Sequence, residues 1–145
     1  MHELDKHFMR VAREAARASD DRNTQVGCVI VCSDGLTIRA ANTFPRDVVK
    51  TRDERHERPA KYKWIEHAER NAIYSAARRG CPLAGARIYV PWFPCMDCAR
   101  AIVQSGISEL VCHKPDFDHP RWGNDFRDAT VLLAEGGVPV RYVCD

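Results

Sequence analysis

The sequence predicts an α/β domain built on a five-stranded mixed sheet flanked by helices. Three observations predict it. Short apolar, β-branched runs alternate with helical periods from residue 65 to residue 143. A strand–turn–strand segment precedes that alternation, and glycines stand where the helices should stop. Alternation implies right-handed crossovers between parallel strands, while the leading hairpin contributes antiparallel pairing. A chain of 145 residues without internal repeats suits one compact domain over 1–145.

The elements follow in order. Leu4, Phe8, Val11, Ala12, Ala15 and Ala16 recur at helical spacing, so a helix runs from about 4 to 18. Val26–Val31 reads as a buried strand, Ser33-Asp34-Gly35 as a tight turn, and Leu36–Thr43 as the returning strand. Phe44 to about Lys63 has neither period and reads as a long charged loop. An alanine-rich helix follows over Ile65–Arg79, stopped by Gly80 with Pro82 behind it. Arg87–Val90 is a strand, Cys95–Ser105 a helix closed by Gly106, and Leu110–Cys112 a strand. Pro115–Gly123 is a loop rich in Asp, Pro and aromatics. Asp125–Glu135 is the last helix, stopped by Gly136-Gly137, and Val138–Val143 the last strand.

Composition narrows the function classes. Hydrophobic residues at 45% and charged residues at 29% are ordinary for a globular protein. A net charge of +2 argues against a dominant nucleic-acid surface. The start, Met1-His2-Glu3-Leu4-Asp5-Lys6, lacks the apolar run of an export signal, and no stretch has the length of a membrane span. A cytoplasmic location is the expectation. The seven cysteines, 28, 32, 81, 95, 98, 112 and 144, are odd in number, which argues against a disulfide framework. Cys28, Cys32 and Cys112 lie in strand-like runs and read as small buried hydrophobes.

The chemistry is carried by His67-Ala68-Glu69 and Pro94-Cys95-Met96-Asp97-Cys98. One imidazole and two thiolates suit Zn2+ held by three protein ligands, His67, Cys95 and Cys98, with the fourth position open to water. Cys95 and Cys98 are three apart, so at a helix start they can face one ion, and the helix N-terminus favours thiolates. Zinc lowers the pKa of its water from 15.7 to roughly 7. Glu69 is the catalytic candidate: a carboxylate that moves protons without binding the metal. H-x-E with P-C-x-x-C is the zinc deaminase signature, so hydrolytic deamination is the leading reading. The competing reading is a closed, inert zinc site completed by Cys81 or His113. His113 and His119 read as ordinary loop or strand-end histidines, and His2, His7 and His56 show no partner in sequence.

Four runs are similar to the deoxycytidylate (dCMP) deaminase branch of the zinc-dependent cytidine deaminase superfamily: Asn42–Arg46, Glu57–Tyr62, His67–Ile73 and Pro94–Ala99. The similarity extends from the first helix to Gly136-Gly137-Val138. It implies a three-layer cytidine deaminase-like fold, conversion of dCMP to dUMP with release of ammonia, and a homo-oligomer between dimer and hexamer. It also implies that Asn42 contacts the sugar or base edge, and that backbone groups of Ala68 and Pro94 help seat the pyrimidine. Where that branch often carries Gly-Tyr-Asn-Gly, this chain has Ala40-Ala41-Asn42-Thr43, which argues against the feedback control by nucleoside triphosphates known in parts of the family.

Substrate choice rests on weaker signals. The insert from Arg46 to Lys63 holds seven basic and four acidic residues, more net positive charge than the whole chain. Arg46 and Lys61 are its candidates for a nucleotide phosphate; a solvated lid or oligomer contact is the alternative. Trp92 is the candidate for a flat apolar wall, and Trp122 reads as loop packing. Other free nucleosides or bases, an aminated purine, a polynucleotide (tRNA or DNA) substrate, and a non-enzymatic zinc module remain as alternatives.

Overall fold

The computed structural model describes residues 3–144. His2 therefore lies outside the described residues. Elements run α1 (Glu3–Ala15), β1 (Gly27–Val31), β2 (Thr37–Ala41), α2 (Lys61–Trp64), α3 (Ala68–Arg79), β3 (Arg87–Val90), α4 (Met96–Ser105), β4 (Glu109–Cys112), α5 (Gly123–Glu135) and β5 (Val140–Tyr142). The sheet order is β2-β1-β3-β4-β5. β1 is antiparallel to both β2 and β3, and the β3-β4-β5 half is parallel, as crossover helices α4 and α5 require.

The layers follow from the strand alternation. Cys28, Ile30, Ile88, Val90, Leu110 and Cys112 face a core shared with Ala72, Ala76, Ile102, Phe126 and Leu133 of α3, α4 and α5. Val29, Val31, Tyr89 and Val111 face the other way, onto Met9 and Ala12 of α1. Every residue of β1 is buried because helices cover both of its faces. Cys28, Cys32 and Cys112 are buried free thiols, as their apolar surroundings predict.

Two close contacts hold α1 in place. A Cβ on Gly27 would stand 2.2 Å from the Ala12 carbonyl oxygen, so only glycine lets β1 start directly beneath the helix. At the far edge, buried Asp5 accepts from Tyr89 Oη at 2.9 Å and from Arg141 Nη1 at 2.6 Å, and Arg141 Nη2 reaches Glu109 at 2.7 Å. The network ties α1 to three neighbouring strands.

Besides shifts of one to three residues at other element ends, two larger differences from the sequence reading fall between residues 44 and 67. The helix expected from Ile65 begins at Ala68, because Glu66 pairs with Thr43 in a short antiparallel bridge that keeps 65–67 extended. The region expected to be all loop, 44–63, contains a 3-10 turn at Asp53–Arg55 and the short helix α2. Its last turn is anchored by Lys61, buried beside Asp21 with Nζ–O distances of 3.1 and 3.2 Å.

Candidate active site

Two helix N-termini deliver the chemistry. His67 is the residue before α3, with φ −73° and ψ 152°, and Cys95 is the residue before α4, with φ −71° and ψ 173°. Both are extended, which turns their side chains toward each other ahead of the helices. Local contacts hold the two starts in register. Asn71 donates to the Ala41 carbonyl at 2.9 Å and to Thr43 Oγ1 at 3.1 Å, fixing α3 to the end of β2. Arg70 bridges Glu66 at 2.6 Å and Asp97 at 3.2 Å, joining the first turns of α3 and α4. Neither Cys95 nor His67 caps its helix with a side chain; the Met96 N–H is instead accepted by Asp125 of α5 at 2.8 Å.

The three predicted ligands meet. Donor atoms of His67, Cys95 and Cys98 all lie within 4.8 Å of one another, and His67 Nδ1 is 3.4 Å from each sulfur. Zinc bonds of about 2.3 Å to sulfur and 2.0–2.1 Å to nitrogen, set tetrahedrally, put S and N roughly 3.5 Å apart. The donor set and its spacing fit the ion. Cys81 and His113 do not join this group among the described residues, so the closed-site alternative lacks its fourth ligand.

Electrostatics agree with a thiolate-binding site. Hydrogen bonding from Cys98, and then from His67, holds the Cys95 thiol down at about 4. Cys98, as the donor and a buried group, is pushed up, while His67 is raised by its bond to Cys95. Glu69 is only 3% exposed, and burial raises its carboxyl above the usual range, with the negative charge of Cys95 adding to the effect. No side chain among the described residues hydrogen-bonds that carboxylate. It is desolvated, close to the metal ligands and held by no other side chain, as a proton carrier should be.

A cavity of about 190 Å³ opens over these groups. His67, Ala68, Glu69 and Cys95 lie at its base with Phe93 and Phe126. Trp92 lines it as expected, and stands edge-on to Phe126 with ring centroids 6.4 Å apart. Asn42 lines it too, but its amide is already engaged. Oδ1 accepts from the Ser19 hydroxyl and from the Val26 N–H at 3.0 Å, and Nδ2 donates to the Thr24 carbonyl at 2.8 Å. The asparagine shapes the wall by pinning residues 19–26. Lys61 lines the cavity with its charge paired to Asp21.

Two expected contacts are placed elsewhere. Pro94 is buried beneath the site and does not line the cavity. Arg46 lines a separate surface hollow with Phe44, Pro45 and Val48. Conversely, Arg58, Tyr62, His119, Arg121 and Trp122 line the cavity and were not singled out as site residues. Trp122, expected as packing, meets Tyr62 edge-on at 6.1 Å. The available signal was the His119-Pro120-Arg121-Trp122 run, which puts bases and an aromatic in the loop between β4 and α5.

Comparison with known proteins agrees with this geometry. A family model described as the cytidine and deoxycytidylate deaminase zinc-binding region matches residues 2–114. An uncharacterized deaminase in the luxG 3' region of Aliivibrio fischeri is 35% identical over 139 residues, covering 95% of this chain and 92% of that protein. Human deoxycytidylate deaminase is 36% identical over 115 residues, covering 75% of this chain and 64% of its own length. The chain thus spans less than two thirds of that relative. In structure, the dCMP deaminase of cyanophage S-TIM5, solved with dCMP and dUMP, superposes with a TM-score of 0.79 over 99% of this chain and 98% of that one. At 21% identity it establishes the cytidine deaminase-like fold. Among the described residues, no helix is long and apolar enough to cross a membrane. A family match over most of the chain, and a relative similar along nearly its whole length, make this protein a member of the zinc-binding cytidine and deoxycytidylate deaminase family.

Proposed function

We propose that this chain deaminates a free cytosine nucleotide, converting dCMP to dUMP with release of ammonia. The observation that carries the reading is a buried Glu69 sharing one cavity with three side chains spaced to hold a metal. His67, Cys95 and Cys98 would hold zinc, which would supply Lewis-acid activation of a water. Glu69 accepts the proton of the attacking water and passes it to the ring nitrogen. Glu69 then takes the remaining proton of the hydroxyl added to the ring and gives it to the amino group, which leaves as ammonia, so one C–N bond is exchanged for one C–O bond. Burial suits this role, since desolvation raises the Glu69 carboxyl above its usual range and so strengthens it as a proton acceptor.

Trp92 and Phe126 supply flat walls for the pyrimidine, and Ala68 leaves room beside it. Asn42 acts by shaping the wall; Pro94 and Arg46 do not line this cavity. The relatives' names support deoxycytidylate as the substrate. A homo-oligomer from dimer to hexamer and a cytoplasmic location belong to the same reading; exposed Tyr74 and Trp92 offer apolar contact area.

The test is ammonia release from bases, nucleosides, nucleotides and oligonucleotides carrying cytosine or adenine, with Glu69→Gln beside the unaltered protein. Loss of general acid–base catalysis should lower turnover by about 10²- to 10⁴-fold while zinc content is kept. Unchanged turnover in the variant, or no ammonia from any substrate with zinc fully loaded, refutes the reading.

A further inference from the structure

Two arginines from distant segments converge on one hydroxyl at the rim of the cavity. Arg58 Nε donates to Tyr62 Oη at 2.7 Å, and Arg121 Nη1 donates to the same oxygen at 3.2 Å. Both are exposed, and neither has a carboxylate partner among the described residues. Lys50, Lys61, Arg70 and Arg141 each have one. Holding two like charges together without a counter-charge is unfavourable, so the arrangement suits an anion that comes from outside.

The neighbours add donors and no acceptors for that anion. Tyr62 receives both arginines, so the hydrogen of its own hydroxyl has no acceptor among the described residues. His119 Nδ1 accepts the backbone N–H groups of Arg121 and Trp122, each at 3.1 Å, which leaves the neutral ring its hydrogen on Nε2. All four side chains line the cavity that contains Glu69. Lys61 is excluded from this set by its buried pairing with Asp21.

We propose that Arg58, Tyr62 and Arg121 clamp the terminal phosphate of a nucleoside monophosphate and thereby make the protein select nucleotide over nucleoside. The proposal rests on the deaminase reading above and adds which residues choose the substrate. A phosphate monoester carries a charge of roughly −1.5 to −2 and three terminal oxygens, matching two guanidinium forks and a hydroxyl donor. An internal strand phosphate carries one charge and offers two free oxygens, so the clamp favours the free nucleotide.

The experiment measures kcat/KM for dCMP, for deoxycytidine and for an oligodeoxynucleotide with one cytosine. It uses the zinc-loaded protein and the variants R58Q, R121Q, Y62F and R46Q. The unaltered protein should favour dCMP. R58Q and R121Q should each lower the dCMP-to-deoxycytidine ratio by roughly 10- to 100-fold, mostly through KM, as loss of one charge-assisted hydrogen bond predicts. Y62F should lower it less, and R46Q, in the separate hollow, should keep it. Inorganic phosphate should compete with dCMP in the unaltered protein and more weakly in R121Q. If the protein favours dCMP but R58Q and R121Q keep the full ratio, the clamp is refuted and the deaminase reading stands. Equal turnover of deoxycytidine, or preference for the oligonucleotide, overturns the nucleotide reading and the clamp with it.

Discussion

Replacing Lys61 with methionine isolates the buried ion pair that anchors the charged insert. Side-chain exposure is 5% for Lys61 and 9% for Asp21, so neither charge is well solvated. Asp21 keeps the backbone N–H groups of Asn23 and Thr24, at 2.8 and 3.1 Å, when the lysine is removed. Removing one partner of a buried pair costs about 3–5 kcal/mol, and the retained donors put K61M at the lower end, about 3 kcal/mol. With an unfolding entropy near 2.1 cal/mol/K per residue, that loss lowers the Tm of a domain this size by roughly 10 °C. D21N/K61M removes both charges and should recover to within about 1 kcal/mol of the unaltered protein.

The acid limb gives an independent check. Burial pushes the Asp21 carboxyl up, but the Asn23 and Thr24 amides and Lys61 outweigh it, and its pKa is lowered. A depressed carboxyl contributes stability that is present above its unfolded value of about 3.9 and is lost as pH falls through the folded value. K61M raises that folded value, so its acid unfolding should begin at higher pH. Urea melts at several pH values read both effects. A loss below about 1 kcal/mol in K61M, or a double variant that loses the sum of the two singles, refutes the reasoning.

Two further outcomes follow from the packing. D125A removes the acceptor for the Met96 N–H at the start of α4 and should weaken zinc binding about 10-fold, as loss of an outer-sphere support does; chelator competition showing unchanged affinity would count against it. G27A sets a methyl against the Ala12 carbonyl and the Ala16 amide, 2.2 and 2.4 Å away, and should cost about 3 kcal/mol through displacement of α1. An unaltered melting temperature would show that α1 moves freely.

The metal site was readable because ligand identity and spacing are local properties. His67, Cys95 and Cys98 carry their chemistry in the letters, and Gly80 and Gly106 marked the helices that present them. Elements governed by long-range contacts were less readable. Residues 65–67 were expected to be helical because alanines follow them, yet pairing with Thr43 holds them extended. α2 depends on a Lys61–Asp21 pair that no periodicity records. Asn42 illustrates a third limit: a motif shows that a polar group is needed but not which way it faces, and here it faces the protein. Arg58 and Arg121 lie 63 positions apart and become a pair only through Tyr62.

The cavity is built in two materials. Its base is made of helix starts seated on the sheet, where Ala68, Glu69 and Phe93 are buried among core side chains. Its rim is made of Arg58, Tyr62 and Arg121, exposed side chains outside that core. Changes at the rim therefore escape the penalties that fall on the base. On the proposed reading, the exposed side chains of Arg58 and Arg121 can be exchanged to accept a different charge while Glu69, His67, Cys95 and Cys98 stay where the sheet holds them. Reaction type, on that same reading, rests on the most constrained atoms of this chain and substrate identity on its least constrained ones.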